Sequence, residues 1–322
     1  MSRSWFRSTI LLRWRATASV VVVALSVAGC APTSPGGPSS GTPSSRSTSA
    51  SPNPELPGHL VWGQFEGDQV NVFTADANGN NAQQLALSPT GEPRHLSSDG
   101  KQLMLSVPAD DGRITIGVIN VDGTGQRTFA LPAEALNLSC VDWSPDMTRL
   151  VCEGFADDPA VNGVYTVAAS DGQDLVRLTQ QKDVPCSYSP DGTKILFIRL
   201  NAADEEQNEL FTVNVDGSGE TQVLDQKVGF NCDWARDGTI LTEAAGQLLL
   251  VDTDGTATSI VIPGAAGQTR GSFSPDGSHI VFSRGADTGN RQLDIWTMKT
   301  DGTDLARITS TSADEEFGDW AP

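Results

Sequence analysis

Histidine is the first shortage. Only His59, His95 and His279 occur in 322 residues, and no two of them have metal-ligand spacing. There is no Gly-x-Ser-x-Gly elbow either, so the commonest hydrolase signatures have no support here. Lysine is almost as scarce, five residues against 16 arginines. Positive charge is short overall: Lys and Arg total 21 against 40 Asp and Glu, a formal net charge of −19. A body this acidic repels phosphate backbones and anionic headgroups. No nucleic-acid partner is expected, and basic or cationic partners are favoured. No unbroken apolar run reaches the ~20 residues needed to cross a bilayer. Cysteine is limited to Cys30, Cys140, Cys152, Cys186 and Cys232.

The N-terminus reads as an address. Residues 1–15 carry Arg3, Arg7, Arg13 and Arg15 and no acid, and a mostly apolar stretch runs from Ala16 to Val27. That is a signal-peptide core. It ends in Val27-Ala28-Gly29-Cys30, which resembles a bacterial lipobox. The resemblance implies cleavage after residue 29 and diacylation of the Cys30 thiol. Losing the four arginines would shift the balance of the mature chain to −23. Residues 30–57 are rich in Ser, Pro, Thr and Gly. They cannot bury enough surface to offset the entropy of ordering, so a disordered tether is expected.

From residue 58 to 322 the chain repeats. One marker is a turn after an aromatic residue: Trp143-Ser144-Pro145-Asp146, Tyr188-Ser189-Pro190-Asp191-Gly192, Trp234-Ala235-Arg236-Asp237-Gly238 and Phe273-Ser274-Pro275-Asp276-Gly277, with a weaker copy at Leu96-Ser97-Ser98-Asp99-Gly100. Pro presets φ and Gly accepts positive φ, which is hairpin chemistry. The second marker is Asn78-Gly79, then Asp-Gly at 122, 171, 216, 254 and 301. Each follows an alternating strand such as Leu210–Val215. The unit therefore holds four strands, a to d, with tight a–b and c–d turns. Successive first-marker aspartates stand 47, 45, 46 and 39 residues apart, the period of propeller blades. Six c–d turns face only five a–b turns. Gly318–Pro322 reads as a strand a without its turn, and His59–Trp62 as a strand b lacking its strand a. An all-β, six-bladed propeller closed by the last strand follows, and closure removes exposed edges.

These units resemble the WD40-like β-propeller repeat of the TolB family, most fully over Phe273–Thr309, with Asp294-Ile295-Trp296-Thr297-Met298 and Arg307-Ile308-Thr309. The resemblance implies the propeller fold and an extracytoplasmic place. TolB carries an α/β domain before its propeller. A tether and a lipobox stand there instead, so a Tol–Pal role is not expected.

Four cysteines remain in an oxidising compartment. If Ser144 and Thr148 flank their turn, residues whose numbers sum to 292 face each other, and Cys140 and Cys152 are candidates for a disulfide. Cys186 and Cys232 occupy equivalent sites on adjacent inner strands and form a second candidate pair. The residue before each turn aromatic belongs to an inner strand: His95, Asp142, Ser187, Asp233, Ser272 and Asp319. Asp in alternate blades, at 142, 233 and 319, could converge on a Ca²⁺ ion in the channel. No cofactor is otherwise required. The b–c and d–a loops share the face opposite the tight turns, and they are acidic at Asp110-Asp111, Asp157-Asp158, Asp204-Glu205-Glu206 and Asp314-Glu315-Glu316. The favoured function is a monomeric, non-catalytic envelope binding module, lipid-anchored to the outer face of the cell membrane. It would recognise a protein, peptide or cell-wall ligand through this acidic face and the channel mouth. The alternatives are a metal-dependent hydrolase or lactonase using the channel carboxylates, and a purely structural envelope component.

Overall fold

The computed structural model describes residues 56–67, 69–87, 90–129, 136–201, 207–245, 247–252, 255–260, 268–285 and 292–322. The signal peptide, Cys30, nearly all of the tether and the Asp204–Glu206 run lie outside the described residues. The chain divides into Met1–Pro54 and Glu55–Pro322, and the description concerns the second unit.

Blade 1 contains β1 (His59–Glu66), β2 (Gln69–Asp76) and β3 (Gln83–Leu85). Blade 2 contains β4 (Glu92–Leu96), β5 (Gln102–Pro108), β6 (Ile114–Asn120) and β7 (Arg127–Thr128). Blade 3 runs through β8 (Asn137–Trp143), β9 (Arg149–Phe155), β10 (Gly163–Ala168) and β11 (Val176–Arg177). Blade 4 is β12 (Asp183–Tyr188), β13 (Lys194–Arg199), β14 (Glu209–Asn214) and β15 (Thr221–Gln222). Blade 5 is β16 (Cys232–Trp234), β17 (Ile240–Ala244), β18 (Gln247–Val251) and β19 (Ala257–Ser259). Blade 6 is β20 (Gln268–Phe273), β21 (His279–Gly285), β22 (Leu293–Lys299) and β23 (Ala306–Arg307). The last strand, β24 (Asp314–Ala321), returns to β1, giving the sheet order β24-β1-β2-β3. Six antiparallel four-stranded sheets result: a six-bladed β-propeller, with the first and last strands in one blade.

Local chemistry explains the repeated turns. Ser144 Oγ donates to Asp146 Oδ1 (2.7 Å) while accepting from the Arg149 N–H (2.9 Å), and Asp146 Oδ1 also accepts from the Thr148 N–H (3.1 Å). Ser189/Asp191 and Ser274/Asp276 repeat the arrangement. In blade 5, Ala235 stands in the serine position. Gly192 takes φ 72° at the turn end, and Met147 is forced to 61° at the corresponding place in blade 3, a left-handed conformation that disfavours bulky side chains.

The core has no single centre. Six apolar clusters each span one seam between neighbouring blades. Leu138, Leu150 and Tyr165 of blade 3 pack on Met104 and Val118 of blade 2, and Leu60, Trp62 and Trp320 of blade 1 pack on Val281 and Ile295 of blade 6. Each sheet buries both faces, so each blade depends on two neighbours.

The register corrects one step of the sequence reading. Ser144 pairs with Arg149 rather than Thr148, and Trp143 and Asp142 stand opposite Leu150 and Val151. A β-bulge at Val141 then shifts the ladder by one, so Cys140 does face Cys152. Similar bulges interrupt β4, β12, β20 and β24. A bulge re-aims side chains, and all of these fall on the first strand of the repeat unit.

Candidate functional site

The six inner-strand residues named from the repeat form two kinds of seam. Asp319 Oδ2 accepts from the Leu96 N–H (2.6 Å), Asp142 Oδ2 from the Tyr188 N–H (2.8 Å), and Asp233 Oδ2 from the Phe273 N–H (2.8 Å). Each aspartate thus stitches its blade to the next, joining blades 1 and 2, 3 and 4, and 5 and 6. The other oxygens are also engaged. Asp142 Oδ1 and Asp233 Oδ1 accept from the Trp143 and Trp234 N–H groups (both 2.7 Å), and Asp319 Oδ1 from Ser272 Oγ (2.7 Å). These bonds engage the carboxylate oxygens that were expected to converge on Ca²⁺. The carboxylates turn toward backbone donors, and among the described residues no group of three or more His, Cys, Asp or Glu is placed to hold a metal ion. The hydrolase alternative rested on the same three side chains.

His95 keeps 27% of its side-chain surface accessible, with Nδ1 3.8 Å from Asp319 Oδ1. Burial opposes its charge, but Asp319, Asp142 and Asp233 outweigh that and raise its pKa. Burial likewise raises Asp233, and pushes the Asp142 carboxyl from 3.8 up to about 7. A carboxyl raised on folding binds its proton more tightly in the native state. Its contribution is therefore largest at acid pH and declines as pH rises from about 4 to about 7. A raised histidine acts in the same direction across neutrality. The midpoint of thermal unfolding should accordingly be higher near pH 5.5 than near pH 8. Asp142→Asn should flatten that difference, even where the lost acceptor lowers both values; a midpoint that rises across the interval contradicts the argument.

Two disulfides are present among the described residues. Cys140–Cys152 joins adjacent strands within blade 3, and Cys186–Cys232 joins blades 4 and 5, with Cα atoms 5.5 Å apart.

The acidic loops divide. Asp110, Asp111, Asp157, Asp158 and Asp314 are exposed. Asp111 Oδ2 pairs with Arg113 (2.7 Å), and Asp158 caps the short 3₁₀ turn Pro159–Val161. Glu315 does not belong with them. Strand alternation turns it inward to 0% exposure, where Oε1 accepts from Thr311 Oγ1 (2.6 Å). Glu316 is half-buried.

One group was not foreseen. Arg270 of blade 6 feels the charges of Arg94 and Glu92 of blade 2, Glu316 of blade 1 and Glu243 of blade 5. These residues lie toward the starts of their inner strands or the end of β17, at the end of the ring facing the b–c and d–a loops. Arg94 pairs with Glu92 (3.1 Å) and donates to Ser106 Oγ (2.8 Å). Burial lowers Arg270 to about 10 and raises Glu243 to about 7. The available signal was charge inside a short inner strand, as in Glu92-Pro93-Arg94.

No family model matches the chain, and no curated protein matches it in sequence. Solved structures do. TolB from Acinetobacter baumannii aligns at TM-score 0.69 with 18% identity, over 84% of this chain and 68% of that one. The fold is TolB-like. At that identity the likeness is one of architecture. A chain of a nidogen/laminin complex aligns at TM-score 0.63 with 12% identity, over 83% of this chain and 99% of that one. Oligogalacturonate lyase from Vibrio parahaemolyticus aligns at 0.52 with 14% identity, over 76% and 72%. The TolB-like shape thus serves proteins of different classes, and the site must carry the functional argument.

Proposed function

We propose that this chain is a non-catalytic binding module of the bacterial cell envelope, secreted through residues 1–29 and held at the membrane by lipid on Cys30. The observation that carries the binding reading is the set of exposed loop acids Asp110, Asp111, Asp157, Asp158 and Asp314. Loops displayed on a rigid scaffold are where recognition residues concentrate. A net charge of −19 favours a basic protein, peptide or cell-wall ligand. The two disulfides fit an oxidising, extracytoplasmic compartment. A propeller of this shape in a nidogen/laminin complex supports a role in protein association.

The test is capture from envelope extract by the full chain and by a variant with the five exposed acids changed to Asn. The variant should lose the partners that the parent retains at low salt, and ~0.5 M salt should release them from the parent, because screening shortens the reach of exposed charges. Identical partners on both proteins would remove the acidic face from consideration.

A further inference from the structure

Where the last strand meets the first, a hydroxyl, a carboxylate and a primary carboxamide come together. Gln64 of β1 stands opposite Glu315 of β24. Thr311, just before β24, reaches both side chains. Its Oγ1 donates to Glu315 Oε1 (2.6 Å) and accepts from Gln64 Nε2 (3.1 Å). Gln64 Nε2 also donates to the same Glu315 Oε1 (3.4 Å). The hydroxyl is held in place. The Ala313 N–H donates to Thr311 Oγ1 (3.2 Å), and Gln292 Nε2, beside β22, donates to the Thr311 and Ala313 carbonyls. Glu315 is fully buried, and its Oε2 has no hydrogen-bond partner among the described residues. Burying a carboxylate with one oxygen unpaired is costly, and a buried polar group left so calls for a reason.

We propose that Thr311 and Gln64 join spontaneously in an ester, with Glu315 carrying the proton, so that the closing strand is fastened to the first by a covalent bond. Thr311 Oγ1 attacks Gln64 Cδ, the carbon bonded to Nε2. The Oγ1–Cδ bond forms and the Cδ–Nε2 bond breaks. The hydroxyl proton passes to Glu315 Oε1 and from there to Nε2, which leaves as ammonia. The carboxylate ends as it began, and nothing else is consumed. A hydroxyl is a weak nucleophile until an adjacent base takes its proton, and Glu315 Oε1 is within the reach that general base catalysis needs. The same oxygen touches the nucleophile and the leaving group, so one carboxylate serves both ends of the transfer. Fixing the groups on paired strands replaces a chance encounter with a high effective concentration.

The ester is tested by intact mass and peptide mapping of the folded full chain. After correction for the substitution, the parent should be lighter than Thr311→Val and than Glu315→Gln by one ammonia. Thr311→Ser keeps a hydroxyl and should show the same loss as the parent. The tryptic peptide carrying Gln64 should run joined to the one carrying Thr311, and mild alkali should part them and leave a free carboxyl on residue 64. Cyclisation at Asn78-Gly79 would also shed ammonia, but it would persist in Thr311→Val and join no peptides. A parent at full mass, an ammonia loss that persists in Thr311→Val or Glu315→Gln, or separate Gln64 and Thr311 peptides would each overturn the assignment. Thr311 is exposed, so Thr311→Val carries the comparison if Glu315→Gln lacks a cooperative melt.

Discussion

A chain truncated after Phe317 is expected to lose cooperative unfolding of the whole ring. The five missing residues hold one seam shut and anchor another. Leu60 and Val61 pair with Trp320 and Asp319, and His59 pairs with Ala321. Trp320 is 4% exposed, and its indole N–H donates to the Pro57 carbonyl (3.0 Å). Losing a buried tryptophan alone costs about 3–5 kcal/mol. Asp319 adds the bond to the Leu96 N–H on the far side, which would be left buried without its acceptor at about 1–3 kcal/mol more. Set against a typical domain stability of about 5–15 kcal/mol, the loss is large. It is not confined to one blade, because each seam cluster draws on two blades. Near-ultraviolet circular dichroism and calorimetry should show a broad transition or none. A midpoint unchanged from the parent would mean that the ring does not depend on its last strand.

The disulfide between blades 4 and 5 should matter more than the one within blade 3. Three of the six seams carry an aspartate stitch, and this seam has a covalent bond instead. Cys186 and Cys232 are 46 residues apart, Cys140 and Cys152 only 12. Loop-closure entropy in the unfolded chain then assigns about 4 kcal/mol to the first and about 3 kcal/mol to the second. The gap should widen in practice, because strand pairing already holds Cys140 beside Cys152. Urea unfolding of the Cys186→Ser/Cys232→Ser and Cys140→Ser/Cys152→Ser variants, each with its other disulfide intact, measures both. Equal losses, or a greater loss from the blade 3 pair, would contradict the argument.

The fold was legible because its signals are local. Ser-Pro-Asp-Gly specifies a turn through bonds among neighbouring residues, such as Ser189 Oγ to Asp191, and repetition of that turn counts the blades. Closure was legible too, since β24 and β1 supply between them what every other blade has in sequence. The register was only partly so. Anchoring the hairpin at Thr148 misplaces it by one, and the bulge at Val141 cancels the error before Cys140 is reached. Bulges have no strong local signature, and their effect on side-chain direction was lost with them. That is why Arg270 passed unnoticed; Glu315 read as surface charge because the last strand begins at Asp314, four residues before the expected Gly318, and strand alternation buries it. The hydrogen bonds of Asp142, Asp233 and Asp319 were hidden for a different reason. Residue type places all three on inner strands, but the backbone N–H on the next blade that each Oδ2 accepts from is invisible to any residue-type argument.

That last arrangement makes the constraint at three seams one-sided. The donor opposite each aspartate is a main-chain N–H, belonging to Leu96, Tyr188 and Phe273. Any residue except proline presents the same donor. The aspartates have no such freedom, since a longer or neutral side chain cannot accept on both oxygens at the same reach. Drift along the ring is therefore permitted on the receiving blade and penalised on the giving one, so blades 1, 3 and 5 carry the heavier sequence burden at their inner strands.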